Sequence, residues 1–244
     1  MPKGMTRYYP LCLLAMTALL LWKSSVADPW NKLRHYRSSF TVKEALAFYG
    51  SFAGHKLRRR FADAGVEYPP KAVRLVAIKH PGVLELWAKD AADRWHYVHE
   101  YPVLAASGTQ GPKLREGDKQ VPEGVYRIVK LNPKSAFHLS IKLNYPNGFD
   151  RRQARRDGRR NPGSDIYIHG KEKSKGCLAM GDRTIEELFV LVAQVGIRNV
   201  EVVIAPYDFR QRSIALREGD PPWVAELYQQ IARHLAELPL SEKM

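Results

Sequence analysis

The sequence predicts a mainly β fold with α additions, an α+β class arranged as a β-rich sandwich or barrel. Three observations predict it. From Ala72 to Ala205 the chain runs in short segments rich in β-branched and aromatic residues, separated by turn residues. A single helical segment interrupts them after Thr184, and helical periodicity returns only at the two ends.

The first 27 residues read as an export signal. Lys3 and Arg7 precede an apolar run from Leu11 to Trp22, and Ser25-Val26-Ala27 places small residues before a cleavage point at Asp28. The run is shorter than the ~20 residues of a membrane-spanning helix. Cys12 lies inside it without the small-residue consensus of a lipoprotein, and membrane contact is expected only through this signal. Its removal leaves about 217 residues, enough for one domain with extensions. It takes three cations, lowering the net charge from +14 to +11, and leaves one thiol, Cys177. A basic exported chain suits an anionic polymer, and export argues against nucleic acid.

Residues 28–70 are expected to form a helical N-terminal extension. Thr41-Val42-Lys43-Glu44 opens a helix to about Ala64, with Leu46, Tyr49, Phe52 and Ala53 on one side, and Pro69-Pro70 closes it. Strands follow at Val73–Ile78, Leu84–Ala88, Tyr97–Ala105, Val125–Leu131 and Phe137–Leu143. Pro81-Gly82 makes the first two a hairpin. The stretch from Asn147 to Gly163 reads as a loop with six arginines: Arg151, Arg152, Arg155, Arg156, Arg159 and Arg160. It is either a solvated surface or a set of forked cations for carboxylates. Asp165–Ile168 is a strand with Ile166 and Ile168 on one face and Asp165, Tyr167 and His169 on the other. Thr184 and Glu187 have capping-box spacing for a helix to about Val195, and Val200–Ala205 is the last strand. Residues 207–244 form a C-terminal extension whose helix, Pro222 to Leu238, places Val224, Leu227, Ile231 and Leu235 at helical spacing.

The chemistry concentrates at residues 166–180. A strand delivers His169, a turn rich in Gly and Ser follows, and Cys177 stands just before a helix. A thiol nucleophile needs a base for its proton, donors for the developing oxyanion and room for an acceptor. His169 is the candidate base and Gly176 with Cys177 the candidate N–H donors. A zinc site on His169 and Cys177 lacks a Cys-x-x-Cys or His-x-x-x-His partner, so no metal is expected. His35, His55, His80, His96, His99, His138 and His234 show no ligand spacing. No cofactor is implied.

Ile168-His169-Gly170 followed by Ser174-Lys175-Gly176-Cys177 and Met180 resembles the L,D-transpeptidase catalytic domain family (YkuD type). The short His-to-Cys spacing resembles its YafK-like branch. So do Gly111-Pro112-Lys113 through Gly117-Asp118 to Pro122-Glu123-Gly124-Val125-Tyr126, and Tyr145-Pro146-Asn147-Gly148-Phe149-Asp150-Arg151. The resemblance covers about residues 72–206 and implies a catalytic domain over 71–206 with the family's β-sandwich or barrel. It implies Cys177 as nucleophile, His169 as general base and acid, and Ser174, Gly170 and Gly176 as motif positions. Lys113, Asp150, Arg151 and Lys175 are its candidate substrate contacts. Lys175 replaces the motif's second His. The implied reaction is cysteine acyl transfer, through a thioester, on the diamino-acid residue of peptidoglycan stem peptides in a Gram-negative periplasm. Two other outcomes stay open: an amidase that releases a wall-bound lipoprotein, and a non-catalytic peptidoglycan-binding protein.

Overall fold

In the computed structural model, residues 40–239 are described; the expected signal segment, 1–27, lies outside them. Helix α1, Val42–Asp63, begins where Thr41 and Glu44 cap one another. The Glu44 N–H donates to Thr41 Oγ1 at 3.2 Å and the Thr41 N–H to Glu44 Oε2 at 2.7 Å. Its buried face is Ala45, Ala53, Gly54, Leu57 and Phe61, which keeps Ala53 of the expected face but not Leu46, Tyr49 or Phe52. Phe52 is 54% exposed. The rotation has an electrostatic cause: Lys56 and Arg60, one turn apart, both pair with the buried Glu187, so that edge turns inward.

The strands are β1 (Val73–Ile78), β2 (Val83–Lys89), β3 (Trp95–Pro102), β4 (Ala105–Ala106), β5 (Gly124–Asn132), β6 (Ser140–Leu143), β7 (Tyr167–His169), β8 (Leu178–Ala179) and β9 (Val200–Ala205). The expected strand over residues 97–105 ends at Pro102. The one expected from Phe137 starts at Ser140, which leaves Phe137 in a loop. One mixed sheet runs in the order β3-β2-β1-β9-β5-β6-β7-β8-β4. The β1–β2 hairpin is antiparallel as expected, whereas β1–β9 and β7–β8 are parallel. Strand β5 serves two neighbours in turn. Its first residues pair with β9, its last with β6, and the register shifts between Ile128 and Lys130. A bulge of this kind bends a strand and raises its twist, which gives the sheet its half-barrel curvature.

The helices cover this sheet. Helix α2 (Gly148–Arg156) precedes β7, α3 (Asp182–Val195) follows β8, and α4 (Val224–Ala236) follows β9. Leu227, Tyr228, Ile231 and Leu235 of α4 join Val76, Ile78, Trp87 and Val203 in one buried cluster. Strand β1 is buried at every position, so its opposite face, with Leu75 and Ala77, is also covered. Along the other helix pair, α1 packs against α3. The chain from Thr41 onward forms one compact unit.

Beneath the segment between β4 and β5 lies a buried ion pair. Lys79 Nζ meets Glu123 Oε1 at 2.9 Å and the carbonyls of Thr109, Gly111 and Val121 at 2.6, 3.3 and 3.3 Å. Glu123 also accepts the Gly111 N–H at 2.7 Å and the Tyr228 hydroxyl of α4 at 2.9 Å. Burial pulls the Lys79 ammonium below its ordinary pKa, and the Glu123 charge opposes that. Asp118 knots the outer part of the segment by accepting from Lys113 Nζ and from the N–H groups of Leu114, Arg115 and Gln120.

Lys79→Met leaves Glu123 buried without its counter-charge and is expected to lower unfolding free energy by about 3–5 kcal/mol in denaturant titrations. Lys79→Met combined with Glu123→Gln is expected to recover part of that loss. Glu187→Ala is expected to cost roughly 2 kcal/mol, because its cationic partners can turn to water. Hydrogen exchange across residues 42–63 should rise in that variant; unchanged exchange would show that α1 is held by packing alone.

Candidate active site

Strand register builds the site. In the parallel β7–β8 pair, Ile168 faces Leu178 and His169 faces Ala179. One step back along both strands puts Tyr167 beside Cys177, so Tyr167, His169 and Cys177 project to the same side. They line a cleft of about 850 Å³ together with Asn132, Ser135, Phe137, Ser140 and Asp165. Lys134, Lys173 and Lys175 also line it. His169 is 3% exposed, and Cys177 is half-buried and free.

The His169 tautomer follows from chemistry. Its Nδ1 lies 2.6 Å from the Gly170 carbonyl oxygen, which can only accept, so Nδ1 carries the proton. The neutral ring therefore keeps Nε2 as its proton acceptor. The Phe137 ring packs on the imidazole at 4.6 Å between centroids. Burial pulls the His169 pKa down, and the Gly170 carbonyl opposes that. For Cys177, burial pushes the thiol up and the Asp165 carboxylate adds to the rise; the Tyr167 N–H and the Lys113 charge oppose it. Both shifts favour the uncharged forms, a neutral thiol beside a neutral imidazole.

The turn from Gly170 to Gly176 holds the cysteine through serine hydroxyls. Ser174 Oγ accepts the Cys177 N–H at 3.0 Å and donates to the Cys177 carbonyl at 2.6 Å. The Gly176 N–H donates to Ser107 Oγ at 2.6 Å. Gly176 has φ +98°, and a Cβ there would meet the Gln120 carbonyl at 3.3 Å, so glycine suits both the turn and the close approach. Both N–H groups expected to face an oxyanion are therefore engaged by hydroxyls in this structure. Gly170 is tightly enclosed, with Asp182 Oδ1 and the Phe137 carbonyl each 2.7 Å from where a Cβ would sit.

Several expectations need correction. Strand β8, not a helix, follows Cys177, and α3 begins at Asp182. The N-cap of α3 is Gly181 with no side-chain cap; Thr184 and Glu187 form no capping box, because Glu187 points inward to Lys56 and Arg60. The arginine-rich stretch is not a loop through residues 148–156. It is α2, capped by Asn147 with Asp150, whose N–H donates to Asn147 Oδ1 at 3.0 Å. None of its arginines lines the cleft. Arg151 is exposed and donates to the Pro146 carbonyl, and Asp150 is committed to the cap and to Tyr126. Burial raises the Asp150 carboxyl to about 6. Lys113 is buried on Asp118 at 2.5 Å and reaches Cys177 only through its field. Lys175 lies on the cleft.

Reasoning from sequence missed Ser107, Phe137 and the cleft-facing role of Asp165. Asp165 shared a face with His169 in the alternation, whereas Ser107 carried no signal. Three histidines outside the cleft pair with carboxylates: His96 with Asp90, His138 with Glu186 and His234 with Glu201. Among the described residues, no group of three or more His, Cys, Asp or Glu side chains is placed to hold a metal ion. No helix among them is long and apolar enough to cross a membrane.

A half-barrel sheet that presents a histidine from one strand and a cysteine just ahead of its parallel neighbour defines a thiol–imidazole protein. Residues 76–204 match the model of the L,D-transpeptidase catalytic domain (YkuD), and the chain belongs to that family. It is 31% identical over 140 residues to "Putative L,D-transpeptidase YafK" of Escherichia coli (strain K12), covering 55% of this chain and 54% of the relative. The chain thus spans about half the length of the curated relatives it matches. Among solved structures, it is similar to the helical cell shape determining protein Pgp2 from Campylobacter jejuni. There the identity is 21%, the TM-score 0.47, and coverage 56% of this chain and 48% of that one. It is also similar to Mycobacterium tuberculosis L,D-transpeptidase 1, at 12% identity and a TM-score of 0.33, covering 55% and 62% of the two chains.

Alkylation follows the thiolate fraction, so iodoacetamide labelling of Cys177 is expected to rise with a midpoint above that of an ordinary exposed thiol. Labelling that had already reached its plateau at pH 7 would indicate a preformed thiolate–imidazolium pair.

Proposed function

We propose that this protein is a peptidoglycan L,D-transpeptidase of the periplasm, acting by acyl transfer through Cys177. The observation that carries the reading is the β7–β8 register, which brings Cys177 and a proton-accepting His169 to one side of one cleft. Nε2 of His169 takes the thiol proton as Sγ attacks the amide carbonyl of a diamino-acid residue in a stem peptide. Collapse of the tetrahedral intermediate breaks the C–N bond, the imidazolium returns the proton to the leaving amine, and a thioester remains on Cys177. The amine of a second stem peptide then attacks the thioester, forming a new amide and returning the sulfur to its thiol. Lys173 and Lys175 on the cleft rim suit a donor rich in carboxylates. The leader-like residues 1–27 and the net charge of +14 support export to an anionic wall. This scheme uses no cofactor.

Isolated sacculi incubated with the protein test the reading. New diamino-acid-to-diamino-acid bonds are expected among the digested muropeptides. Cys177→Ala is expected to abolish them and His169→Ala to slow them by about 10²–10⁴-fold. Release of a tethered lipoprotein without new cross-links would assign an amidase instead. Binding to sacculi that leaves the muropeptides unchanged, with the unaltered protein and Cys177→Ala alike, would leave only a non-catalytic binder.

A further inference from the structure

Asp165 stands at a turn beside the thiol. Its φ is +55°, in the left-handed region that aspartate and asparagine enter more readily than most side chains. Its carboxylate also lines the cleft beside a nucleophile that must become an anion. The Cys177 thiol reaches the Asp165 carbonyl at 3.8 Å, so the two residues are direct neighbours. A negative charge there opposes thiolate formation, and an unneeded carboxylate would be better as an amide.

The two carboxylate oxygens differ. Oδ1 accepts from Lys142 Nζ at 2.6 Å and from the Tyr167 hydroxyl at 3.4 Å. Oδ2 has no hydrogen-bond partner among the described residues, and the side chain is 63% exposed. The Lys142 and Tyr167 contacts fix the carboxylate's direction while leaving one oxygen for a ligand. The other charges on the cleft are cationic, with Lys173 and Lys175 on the turn that leads to Cys177. A cleft for a purely anionic ligand gains from those lysines and loses from Asp165. A cleft with a fixed anion and separate fixed cations matches a ligand that carries both signs.

We infer that Asp165 is a specificity-determining residue whose free carboxylate oxygen receives the unreacted ammonium of the donor's diamino acid, while the rim lysines face its carboxylates. The inference rests on the function proposed above and names how that site selects its donor. It also accounts for a carboxylate tolerated beside the thiol. Lys142 offsets that charge in part, and a bound ammonium offsets it further, so the correct donor itself favours thiolate formation.

Binding and turnover together test it, with a synthetic stem tetrapeptide bearing a free side-chain amine and its N-acetylated counterpart. With Cys177→Ala protein, calorimetry is expected to show about tenfold tighter binding of the free-amine peptide. In Cys177→Ala/Asp165→Asn that preference is expected to vanish. Asparagine tolerates a positive φ, so the variant keeps the turn. Asp165→Asn alone is expected to move the pH midpoint of Cys177 alkylation downward, a change that a purely structural residue would not produce. Equal binding of the two peptides to Cys177→Ala, no binding of either, or a preference that survives in the double variant would overturn the inference. Turnover by the unaltered protein separates the two claims. Asp165-dependent selection without turnover leaves the inference standing and sinks the proposed activity. Equal turnover of both peptides does the reverse.

Discussion

The Lys79–Glu123 pair is the constraint on which the site depends. It stands where β1 ends and β5 begins, and its hydrogen bonds reach Thr109, Gly111 and Val121 of the intervening segment and Tyr228 of α4. That segment supplies the Ser107 hydroxyl to Gly176 and lays the Gln120 backbone against it. A charge pair removed from water is strongly favourable only when every remaining donor and acceptor is met, and here a Tyr hydroxyl, an N–H and three carbonyls meet them. The outcome is rigidity delivered to a turn that itself contains almost no secondary structure.

The site divides its work between backbone and side chain. Parallel pairing of two very short strands sets the side on which Cys177 and His169 emerge. Hydroxyls from Ser174 and Ser107 then fix the turn between them, and the Gly170 carbonyl fixes the imidazole tautomer. Burial disfavours the charged form of both groups, so the free thiol is a weaker nucleophile than an exposed one.

Much of this was legible in the sequence. Strands β1 and β9 stand at the expected residues, because unbroken β-branched runs bounded by turn residues admit one reading. The helix cap at Thr41 and the buried stripe of α4 follow from local spacing as well. The failures share a cause, which is tertiary demand on a side chain with a good local use. Glu187 has capping-box spacing from Thr184, yet two cations from α1 draw it into the interior and the helix starts three residues earlier, with Gly181 as its N-cap. Asn147 caps a helix through a stretch whose arginines suggest a loop, since periodicity is hard to see when nearly every exposed residue is Arg. In the site, His169 and Cys177 are marked by type and spacing, and Lys175 by the motif. Ser107 is invisible because it comes from 69 residues upstream and its role is a single hydrogen bond.

The turn between β7 and β8 separates shape from recognition. Ser174 and Gly176 hold its path, and Lys171 is tied to Asp182, while Glu172, Lys173 and Lys175 are exposed and make no hydrogen bond or ion pair among the described residues. Substitution at these outward positions alters what the cleft attracts without moving Cys177. The charge along this edge can therefore change sign at little cost in folding.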